Sequence, residues 1–277
     1  MLSIPKRITR FGFLAGATLL LSACGGSSTQ PEPEPVLRVM TYNISHGEGP
    51  DRTIDLARIA AVIDAQMPDL VSLQEVDNQT TRSMGVDQAA KIAELAGFPH
   101  VLFGRAIDFG GGEYGVAILS RHPFILDGLE LLPTTSGNEQ RIALWSVVSV
   151  PEIGEVMFVA SHLEAYFFDE DRVAQATELK RLFSDAVLAP SGTAFPDTVV
   201  LAGDFNADSG SPTIDVLESG FDDAYVGDSE TTFVAGAEPV VFDRVYLRPG
   251  AVKMSLASWV VDAPEASDHS AVVVDLQ

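Results

Sequence analysis

The chain has 277 residues, 46% of them hydrophobic and 20% charged, with a formal net charge of −22. That composition is globular and excludes a disordered or fibrous chain, and no fixed-period repeat runs through it. An acidic surface repels polyanions at long range and lacks the basic contacts on which nucleic-acid affinity rests, although a metal ion can still bring phosphate to an acidic cleft.

Residues 1–23 read as a targeting segment: Lys6, Arg7 and Arg10 form a basic start, and Phe11 to Leu21 is apolar but too short for a comfortable transmembrane helix. Leu21-Ser22-Ala23-Cys24-Gly25 then places small residues before a cysteine. This resembles a bacterial lipoprotein signal, which implies a lipid on Cys24 as the first mature residue. Gly25 and Gly26, in place of Asp, imply an outer-membrane destination; the alternative is an ordinary cleaved signal with an incidental cysteine. Cys24 is the one cysteine, so the mature domain forms no internal disulfide and depends on its core. Three of the 17 Lys+Arg and no acid precede Cys24, leaving 14 against 39 Asp+Glu, a mature net charge of −25. Residues 24–35 form a linker: Gly/Ser gives flexibility, and the Pro-Glu alternation an extended, solvated spacer that holds the domain off a membrane. Residues 36–277 fit one domain, expected as a monomer.

Val36–Ile44 alternates and is rich in β-formers, predicting a strand. Asp55–Gln66 carries Leu56, Ile59, Ala60 and Ile63 at helical spacing. Asp69–Gln74 reads as a buried strand, and Val86–Ala96 as a helix stopped by Gly97. Val101–Phe103, Gly115–Ser120 and Phe124–Leu131 read as strands, with Gly110-Gly111-Gly112 a loop of unusual backbone demands. Arg141–Val150 and Val156–Ser161 are strands joined across Pro151–Glu155. Asp169–Val187 is the clearest helix, with three acids at its positive end and the stripe Val173, Ala176, Leu179, Phe183, Val187. Thr198–Ala202 is a buried strand, Pro212–Glu218 a short helix, and Phe242–Leu247, Val252–Trp259 and Ala271–Leu276 close the chain as strands. Consecutive strands imply antiparallel pairing and isolated helices imply outer cover, so two packed sheets with helices outside is the natural solution.

Five polar clusters stand at the ends of apolar strands. Asn43 follows Leu37–Tyr42, Glu75 follows Leu70–Gln74, and His162 follows Met157–Ser161. Asp204 and Asn206 follow Val199–Gly203, and Asp268 and His269 precede Ala271–Val274. Each alone reads as a cap or turn residue. Together they place a potential metal, phosphate or acid–base group at every strand end, where rigid elements can converge on one crevice.

The ordered set Thr41-Tyr42-Asn43-Ile44, Leu73-Gln74-Glu75-Val76, Ile118–Pro123, Ser161-His162-Leu163, Gly203-Asp204-Phe205-Asn206 and Ser267-Asp268-His269-Ser270 resembles the motifs of the endonuclease/exonuclease/phosphatase family. The resemblance implies an α/β (α+β) fold, a four-layer α-β-β-α sandwich of two mixed, mostly antiparallel sheets. It also implies a divalent ion, Mg²⁺ first, with Mn²⁺ or Ca²⁺ as alternatives. Phosphoester hydrolysis requires phosphate charge to be neutralised, a water to be oriented and a leaving oxygen stabilised. Glu75 is a hard oxygen ligand for the ion, and Asn43 a neutral ligand or a phosphate-facing amide. Asp204, partnered by Asn206, is the candidate for activating water. His269 is suited to acid–base work. Asp243, in Phe242-Asp243-Arg244-Val245, matches by resemblance the aspartate that pairs with it, and Asp268 then approaches the metal. His162 contacts a phosphate oxygen or assists the leaving group. Arg141 by resemblance reaches the phosphate, with a solvated strand end as its alternative. The family's acidic position two residues after Asn43 is Ser45 here, which leaves His46 either to fill in or to cap a loop. Nothing resembles a serine elbow or a P-loop, so water attacks phosphorus directly.

The loops 77–85, 104–113, 207–213 and 222–241 offer only Arg82 and Arg105 to a polyanion, whereas Tyr166-Phe167-Phe168 follows His162 as an aromatic run suited to a lipid rim or to packing. Small or lipid-attached phosphoesters at the cell envelope are the expected substrates. The alternatives are an extracellular endonuclease and a non-catalytic binding module.

Overall fold

The computed structural model describes residues 37–135, 137–165, 169–186, 188–226, 231–235, 238–250 and 255–277. The expected signal segment, the linker, Cys24, Tyr166–Phe168 and Val187 lie outside them. The unit that holds every candidate site residue runs Pro35–Gln277.

The fold opens with β1 (Leu37–Asn43), α1 (Leu56–Gln66), β2 (Leu70–Asn78), α2 (Gln88–Ala96), β3 (His100–Phe109), β4 (Gly112–Ser120) and β5 (Phe124–Leu131). It continues through β6 (Ile142–Val150), β7 (Gly154–His162), α3 (Asp169–Lys180), β8 (Thr198–Asp204) and α4 (Pro212–Glu218). The strands β9 (Asp222–Asp223), β10 (Phe233–Ala235), β11 (Glu238–Val240), β12 (Asp243–Leu247), β13 (Ser255–Val260) and β14 (Val272–Leu276) complete it. One six-stranded sheet runs β13-β14-β1-β2-β4-β3 and the other β5-β6-β7-β8-β12-β9, with β10 and β11 paired apart. Only β1/β2 and β7/β8 are parallel; the other pairs in both sheets are antiparallel.

Strand side chains alternate between faces, and this period divides the apolar residues into three cores. Leu37, Val39, Phe158, Ala160, Val200, Ala202, Val245 and Val272 fill the space between the sheets. Met40, Tyr42, Val71 and Leu73 pack outward against Ile59, Ile63 and Ile92 of α1 and α2. Met157, Val159, Leu201 and Tyr246 pack outward against Leu179, Phe183, Ile214 and Leu217 near α3 and α4. The result is the four-layer α-β-β-α sandwich. Asp55 and Asp87 cap α1 and α2 by accepting backbone N–H groups, and Gly97 ends α2 at φ 72°.

The differences from the predicted elements have local causes. Strand β3 extends to Phe109 because Gly110 and Gly111, at φ 55° and 83°, turn the chain directly into β4. Gly112 belongs to that strand, where a Cβ would meet Asn78 O at 2.3 Å. The long helix is regular only to Lys180 and then widens into a π-turn over Arg181–Asp185. Val173 is only partly buried, while Ala176, Leu179 and Phe183 are fully so.

Candidate active site

The inter-sheet face of each strand carries its polar end residue into one crevice. In β1 the inward positions are Leu37, Val39, Thr41 and then Asn43. In β7 they are Val156, Phe158, Ala160 and His162; in β8, Val200, Ala202 and Asp204; in β12, Leu247, Val245 and Asp243. Register completes the placement: His162 lies opposite Asp204, and Asp204 opposite Asp243, so three adjacent strands present one row. Asn43 faces that row from the other sheet.

Glu75 is aimed by a bulge. The β2/β4 register shifts between Leu73 and Val76, and Glu75 itself takes φ 58°. A left-handed conformation in a non-glycine residue costs about 1–2 kcal/mol, and such strain collects at functional sites. It turns the carboxylate toward Asn43, whose Nδ2 donates to Glu75 Oε1 at 3.2 Å and to Asp204 Oδ2 at 2.9 Å. One amide thus joins carboxylates from both sheets. Asn43 Oδ1 accepts from Ser45 N at 3.0 Å, which fixes the amide with nitrogen toward the cluster. In this orientation the Asn43 amide nitrogen serves as a hydrogen-bond donor to both carboxylates.

Asp204 is buried, with Oδ1 accepting from Asn206 N at 2.9 Å. Burial and the Asp243 charge, opposed by His269 and the Asn43 amide, push its carboxyl up to about 6. Burial likewise raises Glu75, opposed by the Asn43 hydrogen bond, with Asp204 and Asp268 adding to the rise. His269 Nδ1 donates to Asp243 Oδ2 at 2.9 Å, and its ring stacks on Phe233 at 4.5 Å between centroids. Burial alone lowers the imidazole, but the carboxylates of Asp243 and Asp204 outweigh it and bring the ring up to about 10. The metal-free pocket therefore favours the charged form of His269.

His162 has the opposite character. Burial, then the charges of Arg141 and His269, hold it well below the usual imidazole range. Arg141 Nη1 lies 3.1 Å from His162 Nδ1 and 3.1 Å from Glu139 Oε1. A guanidinium only donates, so Nδ1 accepts from Arg141. Nε2 lies 3.5 Å from Asp204 Oδ2 and 3.0 Å from Asn206 Nδ2, which also donates to Leu163 O, so the ring stands between two donor groups and one carboxylate.

Asn43, Glu75, His162, Asp204, Asn206, Asp243 and His269 are thus brought together, with Arg141 behind His162. Asp268 stands at the rim: it is exposed, accepts from Ser267 Oγ at 3.3 Å and lines a cavity of about 240 Å³ beside Ser45, Glu48 and Arg52, while its charge acts on both Glu75 and His269. His46 lies 3.7 Å from Glu48 and does not fill in near Glu75. The sequence reading missed Phe233, Ser267 and Glu139. Ser267 Oγ donates to Asn43 O at 2.8 Å and accepts from His269 N at 3.2 Å, tying β1 to the His269 segment. Glu139, two residues before Arg141, carried the one available signal, an acid on the same side of an extended segment. Phe233 carried none.

The donor chemistry suits a hard divalent cation. Glu75, Asp204 and Asp243 bring three carboxylates against one cationic ring, Arg141 is committed to Glu139 and His162, and the buried Asp243 Oδ1 has no hydrogen-bond partner. Among the described residues, Asp204, Asp243 and His269 can place one ligand atom each within 4.8 Å of one another. His269 and Asp243 already satisfy each other, however, which leaves Glu75 as the carboxylate free to hold the ion beside Asp204. When bound, such an ion neutralises phosphate charge and polarises the phosphoryl oxygen.

Two face-to-face sheets bring carboxylates, amides and imidazoles together at their strand ends. The sequence pattern of the Endonuclease/Exonuclease/phosphatase family matches residues 40–269, and the chain belongs to that family. Its members are generally metal-dependent hydrolases of phosphoesters, nucleases among them. An endonuclease/exonuclease/phosphatase from Beutenbergia cavernae DSM 12333 is similar at 31% identity and a TM-score of 0.72, over 87% of this chain and 71% of that one. A humanized D. rerio TDP2 carrying 14 mutations shares 20% identity at a TM-score of 0.66, over 86% and 97% of the two chains. The human Nocturnin catalytic domain with a bound sulfate anion shares 19% at 0.67, over 88% and 93%. These two likenesses concern the fold alone. No curated protein sequence matches the chain.

Proposed function

We propose that this protein hydrolyses small or lipid-attached phosphoesters at the cell envelope, by direct attack of water on phosphorus at the Asn43–Glu75–Asp204–His269 cluster, with Mg²⁺ as its ion. The observation that carries the reading is the cross-strand row His162–Asp204–Asp243, faced by Asn43 and Glu75 from the opposite sheet.

Asp204 orients the attacking water and takes its proton; the Asn206 N–H holds the carboxylate from behind. His162 Nε2 faces the phosphoryl oxygen, and Arg141 at Nδ1 holds the ring in that direction. Protonated His269, held by Asp243, stabilises charge on the leaving oxygen and returns it a proton. The mature charge of −25 and the scarcity of basic residues in the surrounding loops favour small or lipid-attached esters over DNA. No described helix is long and apolar enough to cross a membrane, and attachment is assigned to a lipid on Cys24.

Purified domain incubated with plasmid DNA, sphingomyelin and a nitrophenyl phosphodiester, with Mg²⁺ or with EDTA, tests the reading. Ester turnover that EDTA abolishes is expected. Fast plasmid nicking without turnover of the small esters replaces the substrate class with DNA. An Asp204→Ala variant equal to wild type on every substrate removes the catalytic reading altogether. Membrane fractionation of full-length protein against Cys24→Ser tests the anchor: equal membrane recovery overturns it.

A further inference from the structure

Gln175 is fully buried on α3, beside the apolar core that packs α3 and α4 on the second sheet. A buried amide is costly unless its donors and acceptor are bonded, and a leucine of similar size would bury without that demand. The amide is bonded in an unusual way: Oε1 accepts from Glu164 N at 2.9 Å, and Nε2 donates to Pro133 O at 3.0 Å. The two partners belong to different segments. Glu164 lies two residues after His162. Pro133 lies in the loop that ends at Arg141, closed at its neck by Leu132 N donating to Arg141 O at 2.9 Å.

The same end of α3 grips both segments again. One turn earlier, Asp171 accepts from Thr135 N, Thr135 Oγ1 and Asn138 Nδ2, all in the Arg141 loop. Arg172 Nη1 donates to Glu164 O at 3.1 Å, on the His162 side. Asp171 and Gln175 are four residues apart and so share a helix face. Arg141 and His162, the residues these segments deliver, meet at 3.1 Å in the crevice.

We propose that Gln175 is a positioning residue of the hydrolytic site: by bridging Pro133 and Glu164 it fixes the distance between Arg141 and His162, and so the direction in which His162 meets the phosphoryl group. The proposal rests on the hydrolytic reading of the cluster. It adds a residue outside every motif in the sequence.

The test combines a double-mutant cycle with histidine ring spectra. Gln175→Leu is expected to lower kcat/KM about 10- to 100-fold, since a small misplacement of a reacting group costs that much. In a His162→Ala background the same change is expected to move kcat/KM by less than about twofold, because the group it positions is gone. Equal losses in both backgrounds would mean general structural damage and overturn the proposal. Independently of activity, long-range ¹H–¹⁵N spectra of metal-free protein are expected to show His162 ring resonances displaced by Gln175→Leu while those of His269 stay in place. An unmoved His162 ring, or equal displacement of both rings, sinks the proposal. Should Gln175→Leu fail to fold, Gln175→Glu keeps an acceptor for Glu164 N but sets oxygen against Pro133 O, and the same comparison of rings applies. Absence of turnover in wild type counts against the hydrolytic reading alone; the spectra still decide the clamp.

Discussion

Asp243→Asn isolates the charge that most favours the cationic form of His269. The carboxylate lies 2.9 Å from Nδ1 in a buried pair, and the ring is brought from 6.5 up to about 10. At about 1.4 kcal/mol per pH unit, that displacement is on the order of 5 kcal/mol of net preference for the charged ring, shared between Asp243 and Asp204 against the cost of burial. The folded value is raised, so this stability is fully present below 6.5 and is lost as pH rises through about 10. Asparagine removes the largest raising charge and leaves Asp204 and Asp268 to oppose burial, which lowers the ring's affinity for its proton. Loss of the acid and of the charge it supplies is expected to lower kcat/KM about 10²- to 10⁴-fold. Two measurements check it on metal-free protein: the His269 ring followed by NMR between pH 5 and 11, and urea unfolding across the same range. Wild type should lose stability between pH 6.5 and 10, and the variant should show a smaller loss that begins and ends at lower pH. A wild-type ring titrating at its ordinary value, or a variant with unchanged kcat/KM, would refute the reasoning.

Two further outcomes follow from the packing and the charges. Asp204 is raised from 3.8 to about 6, so its contribution to stability is present below 3.8 and lost as pH rises through about 6. Metal-free Asp204→Asn should therefore unfold at higher urea than wild type at pH 8, show little difference at pH 4, and lose about 10²- to 10⁴-fold in turnover; a variant less stable than wild type at pH 8 contradicts the electrostatics. Phe158→Ala, in the fully buried inter-sheet core, should cost about 3–5 kcal/mol in urea unfolding, while Leu131→Ala, 65% exposed on an edge strand, should stay within about 0.5 kcal/mol. Equal losses at the two positions would mean that the sheets do not pack through Phe158.

Much of the fold was legible because side-chain period is a local property. The alternation of β1, the 3.6-residue spacing of α1 and the stop at Gly97 all act within a few residues of the chain. The π-turn after Lys180 was not legible, because the apolar stripe carries on through Phe183 while the backbone widens. The short strands β9 to β11 were hidden for a related reason: two or three residues hold no period to read.

For the site, the sequence determined which chemical groups stand at strand ends: Asn43, Glu75, His162, Asp204, Asp243 and His269 each close or adjoin an apolar run. What the tertiary structure decided was direction and charge. It turned Asp268 outward and His269 inward, set the Asn43 amide nitrogen toward two carboxylates, and favoured the charged form of one histidine and the neutral form of the other. These depend on register across strands more than a hundred residues apart and on which charges burial leaves within a few ångströms. Coulomb energies and hydrogen bonds are functions of distance in space, and distance along the chain does not supply it.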